Sequence, residues 1–166
     1  KDIYMNNSQF LKVLKASFLK YLETGARSNK KLIILHKAIA EDISSRLNAR
    51  NNTGYIVSSL GYGEGHEKKI AGRYIDKAVD IAVGKDGKQI AGIAVKYVMS
   101  NYQQNSNNYF ENMLGETANI RCNNIPYFQI FIILDKLPYF SKTGKIKNWE
   151  CINDQESIDS KAYRVV

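Results

Sequence analysis

No apolar run in the chain approaches the roughly 20 residues that a membrane-spanning helix needs, so no spanning role is expected. The N-terminus, KDIYMNNSQF, is polar and carries no signal-peptide pattern. Cys122 and Cys151 are the only cysteines, too few for a disulfide scaffold; they fit reduced thiols in a cytoplasm. A zinc site built on them would need His36 or His66 from far along the chain, and no pair has ligand spacing. The glycines at 61, 63, 65 and 72 lack the GxxxxGK[ST] spacing of a phosphate-binding loop. There is no Lys/Arg block long enough to be a basic tail, no internal repeat and no linker.

What remains is a chain of 166 residues, enough for one domain with a real core. It begins without Met and stops at the strand-like Tyr163-Arg164-Val165-Val166, so a longer parent protein stays open. The net charge is +8 and the pI about 9.4. That balance favours a polyanionic partner, nucleic acid before an anionic membrane. Plain solubility is the competing reason for it.

Phe10, Leu14, Phe18 and Tyr21, with Leu11 and Leu22, recur at helical spacing and predict a helix over 8–23, capped by Ser8 or Asn7 and ended by Gly25. A second helix is predicted from about Lys31 to Asn48 on Leu32, Leu35, Ile39, Ile43 and Leu47. His36 falls at the edge of that stripe and reads as a satisfied or half-buried structural histidine. Glu41 points to solvent. A short strand is expected at Tyr55–Ser59. LGYGEGHEKKIAGRY then reads as a flexible or close-approach loop holding Glu64, His66 and Glu67, by default solvated. SNYQQNSNN (100–108) reads as a loop, and a helix is predicted from Tyr109 to Arg121, with Asn108 and Glu111 as a capping box. YFQIFIIL (127–134) has the near-continuous apolar content of a strand covered on both faces. Pro138 breaks it, and a further strand is expected around Trp149, from Lys145 to Ile152. Helix, helix, three strands, helix, strand argues for a mixed α/β fold, a central mixed sheet flanked by helices.

The centre of the chain, DIAVGKDGKQIAGIAVK (80–96), holds two strand-like runs. Alternation places Val79, Ile81 and Val83 on one face of the first run and Ala78, Asp80 and Ala82 on the other. On the second run Ile93, Val95 and Tyr97 share a face opposite Gly92, Ala94 and Lys96. Each run thus has a bulky apolar face and a face of small residues with one charge, which leaves room for something large to approach Asp80 and Lys96. The two charges share a face only if the connection has an odd number of residues. A plain two-residue Asp-Gly turn separates them unless a bulge intervenes.

An Asp at a strand end, followed on the next strand by a carboxylate, any residue and Lys, resembles the signature of the PD-(D/E)XK nuclease superfamily, which includes most type II restriction endonucleases. Ala78-Val79-Asp80 and Ala94-Val95-Lys96 stand at the two motifs. The resemblance implies a restriction endonuclease-like αβββαβ core over 31–134, an extra N-terminal helix within 8–48, and a C-terminal extension over 135–166, all in one domain of 1–166. Two departures stand out. Val79 replaces the motif Pro, and Ala94 occupies the carboxylate position. Three explanations of Ala94 stay open: a substitution that disarms the enzyme, a carboxylate supplied by the following helix (Glu111 first, Glu116 second), or a natural nuclease-like module that binds without cutting.

The resemblance further implies a metal-dependent endonuclease on double-stranded DNA, with Mg²⁺ or Mn²⁺ held by Asp80, Glu111 and Glu67; Glu64 and Glu41 are further options for the shell. Lys96 would orient the attacking water and offset negative charge. Tyr97, Ser100, Asn101, Gln103, Gln104, Asn105 and Asn107 would contact DNA, since amide side chains pair bidentately with adenine. Restriction enzymes commonly act as homodimers, and no residue here marks a dimer surface. A basic protein-interaction domain, with no affinity for DNA even at low salt, is the remaining alternative.

Overall fold

The computed structural model describes residues 4–50 and 53–152; the tail from 153 lies outside the described residues. The elements run α1 (Asn7–Thr24), α2 (Lys30–Ala49), β1 (Tyr55–Ser59), β2 (Lys68–Ile70), β3 (Lys77–Val79), β4 (Ile81–Lys85), β5 (Lys88–Val98), α3 (Tyr102–Arg121), β6 (Tyr127–Ile133), β7 (Lys136–Phe140) and β8 (Ile146–Cys151). This is a mixed α/β fold.

The two N-terminal helices form where the apolar spacing places them. Asn6, rather than the expected Ser8 or Asn7, caps α1 through a capping box with Gln9, and Gly25 closes it at φ 78°. Leu14 and Tyr21 face inward, while Leu11 and Leu22, expected on the stripe, are 64% and 52% exposed. The face covered by α2 and the sheet is narrower than the apolar run.

The main sheet has four strands in the order β1-β4-β5-β6. β1, β4 and β5 pair antiparallel, and β6 joins β5 in parallel. A parallel neighbour requires a crossover, and α3 is that crossover. One face of the sheet, with Val57, Ile81, Val83, Ile93, Val95 and Tyr97, packs on Leu14, Leu35 and Ile39 of α1 and α2. The other carries Ala82, Ala94 and Tyr127 against Ile120 of α3. Gln129 of β6 ties this face to α3, donating to Met113 O at 2.7 Å and Thr117 Oγ1 at 2.8 Å.

Four expectations are corrected. First, Val79 does not share a face with Ile81 and Val83: it belongs to the cluster with Ile70 and Ile120. The strand breaks at Asp80, because β3 leaves the main sheet to pair with β2, a strand inside the stretch read as loop. Second, 102–108 is helix, and α3 starts seven residues before the expected Tyr109. Its first turn is capped from outside by the buried Glu150, which accepts from Tyr102 N–H (2.7 Å) and Gln103 N–H (3.1 Å). Asn108 and Glu111 therefore lie mid-helix and cap nothing. Third, the cover on β6 is incomplete at its start: Ile130 and Ile132 pack into the cluster under α1 and α2, and Tyr127 and Phe131 lie under α3, but Phe128 is 55% exposed at the edge of the sheet. Fourth, Pro138 lies within β7, in the two-stranded sheet with β8, where a missing N–H is tolerated.

Candidate active site

The turn between β4 and β5 decides the geometry. Asp86 and Gly87 form a two-residue connection with φ of 51° and 76°. By itself it would put Asp80 and Lys96 on opposite faces. Val83 pairs with Ala91 but Gly84 pairs with Gln89, so Ile90 is an extra residue in β5. This one-residue bulge reverses the alternation. Ile81 then faces Ile93, and one step outward Asp80 comes level with Ala94. Asp80 Oδ2 accepts the Val95 N–H at 2.7 Å, which fixes the carboxylate at the strand break.

Asp80, Ala94 and Lys96 line one pocket of 410 Å³, between α2, β5 and α3. His36 reaches it from α2, and Glu116 and Gln129 line it from α3 and β6. Ligand atoms of His36, Glu67 and Asp80 lie within 4.8 Å of one another. Glu67 enters from the residue preceding β2, so the pairing of β2 with β3 is what brings it to Asp80. Burial raises the Glu67 pKa and the Asp80 charge adds to that, against Lys77.

His36 is fully buried, and neither ring nitrogen has a hydrogen-bond partner among the described residues. Its Nδ1 stands 4.0 Å from Asp80 Oδ1, too far for a hydrogen bond. Burial lowers its pKa, and the pull of Asp80 only partly opposes this. The ring is therefore neutral near pH 7, with Nδ1 facing the half-buried Asp80 carboxylate; in the tautomer protonated at Nε2, that nitrogen can offer a lone pair to a cation. It is not the satisfied histidine that its place on the stripe suggests.

Lys96 holds its ammonium 4.4 Å from the centre of the Tyr109 ring. Burial lowers its pKa, while Asp80 and then Glu116 raise it. Glu116 pairs with Lys77 at 2.6 Å and accepts from Tyr127 Oη at 3.1 Å. Desolvation first, and Glu116 second, push the Tyr127 hydroxyl far up, so it stays a donor.

Glu111 is exposed and lines an adjoining groove rather than this pocket. Five residues separate it from Glu116, which on a helix is about 140° of rotation. Glu64 pairs with Lys68, and Glu41 is exposed beside Lys37. Of the residues expected on DNA, Tyr97 is buried, its hydroxyl donates to Leu14 O at 3.4 Å, and burial pushes it up to about 12. Ser100 bonds the Tyr21 hydroxyl at 2.8 Å. Asn101 exchanges side-chain bonds with the Phe140 backbone, and Asn105 donates to Asn101 O. These four hold the fold together. Gln103, Gln104 and Asn107 are exposed; the two glutamines line a 580 Å³ groove with Tyr139, Lys147 and Asn148.

His36 and Gln129 were not legible as site residues. The available signals were a histidine beside an apolar stripe and one amide in the run YFQIFIIL. Comparison with family models, with curated proteins and with solved structures finds no match for this chain. Among the described residues no helix is long and apolar enough to cross a membrane.

Proposed function

We infer that this chain is a divalent-metal-dependent DNA endonuclease of the PD-(D/E)XK type, in which Glu116 of α3 takes the part of the carboxylate missing at Ala94. The observation that carries the reading is one pocket that gathers Asp80, Lys96 and Glu116, with His36 and Glu67 around Asp80. With β2 and β3 set aside as an insertion between β1 and β4, the order α2, β1, β4, β5, α3, β6, with β6 parallel to β5, supports reading the main sheet as an αβββαβ core. The net charge of +8 suits a phosphate backbone.

The donor set fits a divalent cation. Two carboxylates and a neutral imidazole with an unfilled lone pair would hold it, at Asp80, Glu67 and His36. Oxygen donors alone suit Mg²⁺; the imidazole shifts preference toward Mn²⁺ and its transition-metal neighbours. When bound, such an ion polarises the phosphate and lowers the pKa of a coordinated water. The chain's own groups do the rest. Asp80, anchored by Val95 N–H, would keep its other oxygen on the cation, and so set where a phosphate could bind. Lys96 has lost part of its hydration, so its ammonium offsets charge on the phosphate oxygens more strongly than a solvated lysine would. Glu116, held by Lys77 and Tyr127, orients the water from the α3 side. The water oxygen bonds to phosphorus as the water gives up a proton to solvent, the bond to the leaving oxygen breaks, and that oxygen takes a proton from solvent.

The test is cleavage of plasmid DNA with Mg²⁺ or Mn²⁺. We expect nicked and linear products, their loss with EDTA, and their loss in Asp80→Asn and Lys96→Ala. Ala94 favours one other reading, a nuclease-like module that binds DNA without cutting. That reading holds if DNA is bound with or without metal and never cleaved.

A further inference from the structure

The loop 71–76 joins β2 to β3, and α3 spends a whole side chain on holding it. Asn119 is buried, three residues beyond Glu116. Its Oδ1 accepts from Tyr74 N–H at 3.0 Å and Ile75 N–H at 3.3 Å, and its Nδ2 donates to Ile75 O at 2.8 Å. Arg73 N–H donates to Asn119 O, and Asn123 Nδ2 to Ala71 O, both at 2.8 Å. At Gly72 a Cβ would stand 2.1 Å from Asn119 Nδ2, so only glycine allows this approach.

Ordering a loop costs conformational entropy, and burial normally offsets it. Here the ordered loop places Tyr74 79% and Ile75 66% in water, the two most exposed large apolar side chains among the described residues. They line a groove of 360 Å³ that shares Asn112 and Glu116 with the candidate active site. Arg73 and, in β2, Lys69 are exposed on one side of the tip, and Asp76 is exposed on the other. An apolar tip with two basic side chains before it, beside a phosphate-cutting pocket, has the chemistry of a side-chain wedge that unstacks a base step.

We propose that Tyr74 and Ile75 form a rigid wedge that inserts at a base step of the DNA duplex beside the scissile phosphate, making them substrate-positioning residues. The inference rests on the endonuclease reading above. A wedge at a base step unwinds the duplex, so the change can be read on plasmid DNA without knowing a recognition sequence. Asp80→Asn protein, which should leave the plasmid intact, is mixed at low salt with closed circular plasmid and a topoisomerase. The linking number is measured after the protein is removed. It should fall with the amount of protein bound.

Adding Tyr74→Ala and Ile75→Ser should abolish that change and weaken binding about tenfold, the loss of one stacked contact of about 1.4 kcal/mol. Tyr74→Phe, which keeps the ring, should behave as the parent. Equal linking-number change and equal affinity with and without the two side chains overturn the wedge and leave the endonuclease reading intact, provided the unmutated chain cuts DNA. A dimer that dissociates in Tyr74→Ala, Ile75→Ser protein also overturns it, because the surface then covers a second copy. No binding and no cleavage of DNA by the unmutated chain overturns both.

Discussion

His36→Leu should make the protein more stable and less active at once. A buried polar group without a partner costs about 1–3 kcal/mol. His36 is fully buried, and both of its ring nitrogens lack partners among the described residues. Leucine is of similar size, keeps the apolar contacts of α2 and removes the penalty. For a domain of this length 1 kcal/mol moves Tm by roughly 2–4 °C. In EDTA, calorimetry should therefore place His36→Leu about 2–6 °C above the parent, taking about 1–1.5 kcal/mol as recovered. Metal should reverse the order. At a hundred times Kd a bound ion adds about 2.7 kcal/mol to the parent; the variant, short of its imidazole ligand, should gain far less.

The pH dependence has a definite sign. The folded ring resists protonation because burial lowers its pKa. As pH falls through the ordinary histidine value, about 6.5, the unfolded chain takes the proton first, so the metal-free parent loses stability as the pH drops below that value. His36→Leu lacks this slope. A lower Tm than the parent in EDTA would mean that His36 is already satisfied. Equal stabilisation of both proteins by Mn²⁺ would mean that it is not a ligand. Either result refutes the reasoning.

Glu116→Gln should lower plasmid cleavage at least about a hundredfold, the scale of a lost charge-stabilising group, while Glu111→Gln cuts like the parent. Equal losses in initial-rate assays would remove α3's claim on the missing carboxylate. In the Glu116→Gln background, Ala94→Glu should restore cleavage, because position 94 lines the same pocket as Asp80 and Lys96. No rescue there speaks against the motif assignment. Glu150→Ala removes the outside cap of α3 and frees two backbone donors, Tyr102 N–H and Gln103 N–H. Losing a bond to a charged group costs about 1.5–3 kcal/mol, so thermal denaturation should show a Tm roughly 3–12 °C lower.

Local pattern and tertiary context divide this protein at identifiable residues. The spacing of Leu14, Phe18 and Tyr21, and of Leu35 and Ile39, determined α1 and α2, because helical periodicity is written within each segment. Alternation along Gly92–Tyr97 determined which side chains of β5 face the core and which face away. The first turns of α3 were not legible in SNYQQNSNN, since their cap is Glu150, on a strand 48 residues beyond Tyr102. The sharing of one face by Asp80 and Lys96 was legible only as a condition on the turn, and the bulge at Ile90 meets it.

Local pattern alone specified α1, α2, the outward face of β5, and the pair Asp80 and Lys96. Tertiary structure alone decided that β2 pairs with β3 and carries Glu67 inward, that α2 turns His36 into the pocket, and that Glu116 rather than Glu111 faces Lys96. Each of these depends on where one element lies against another. Periodicity within a segment fixes which side chains share a face, not what that face will meet.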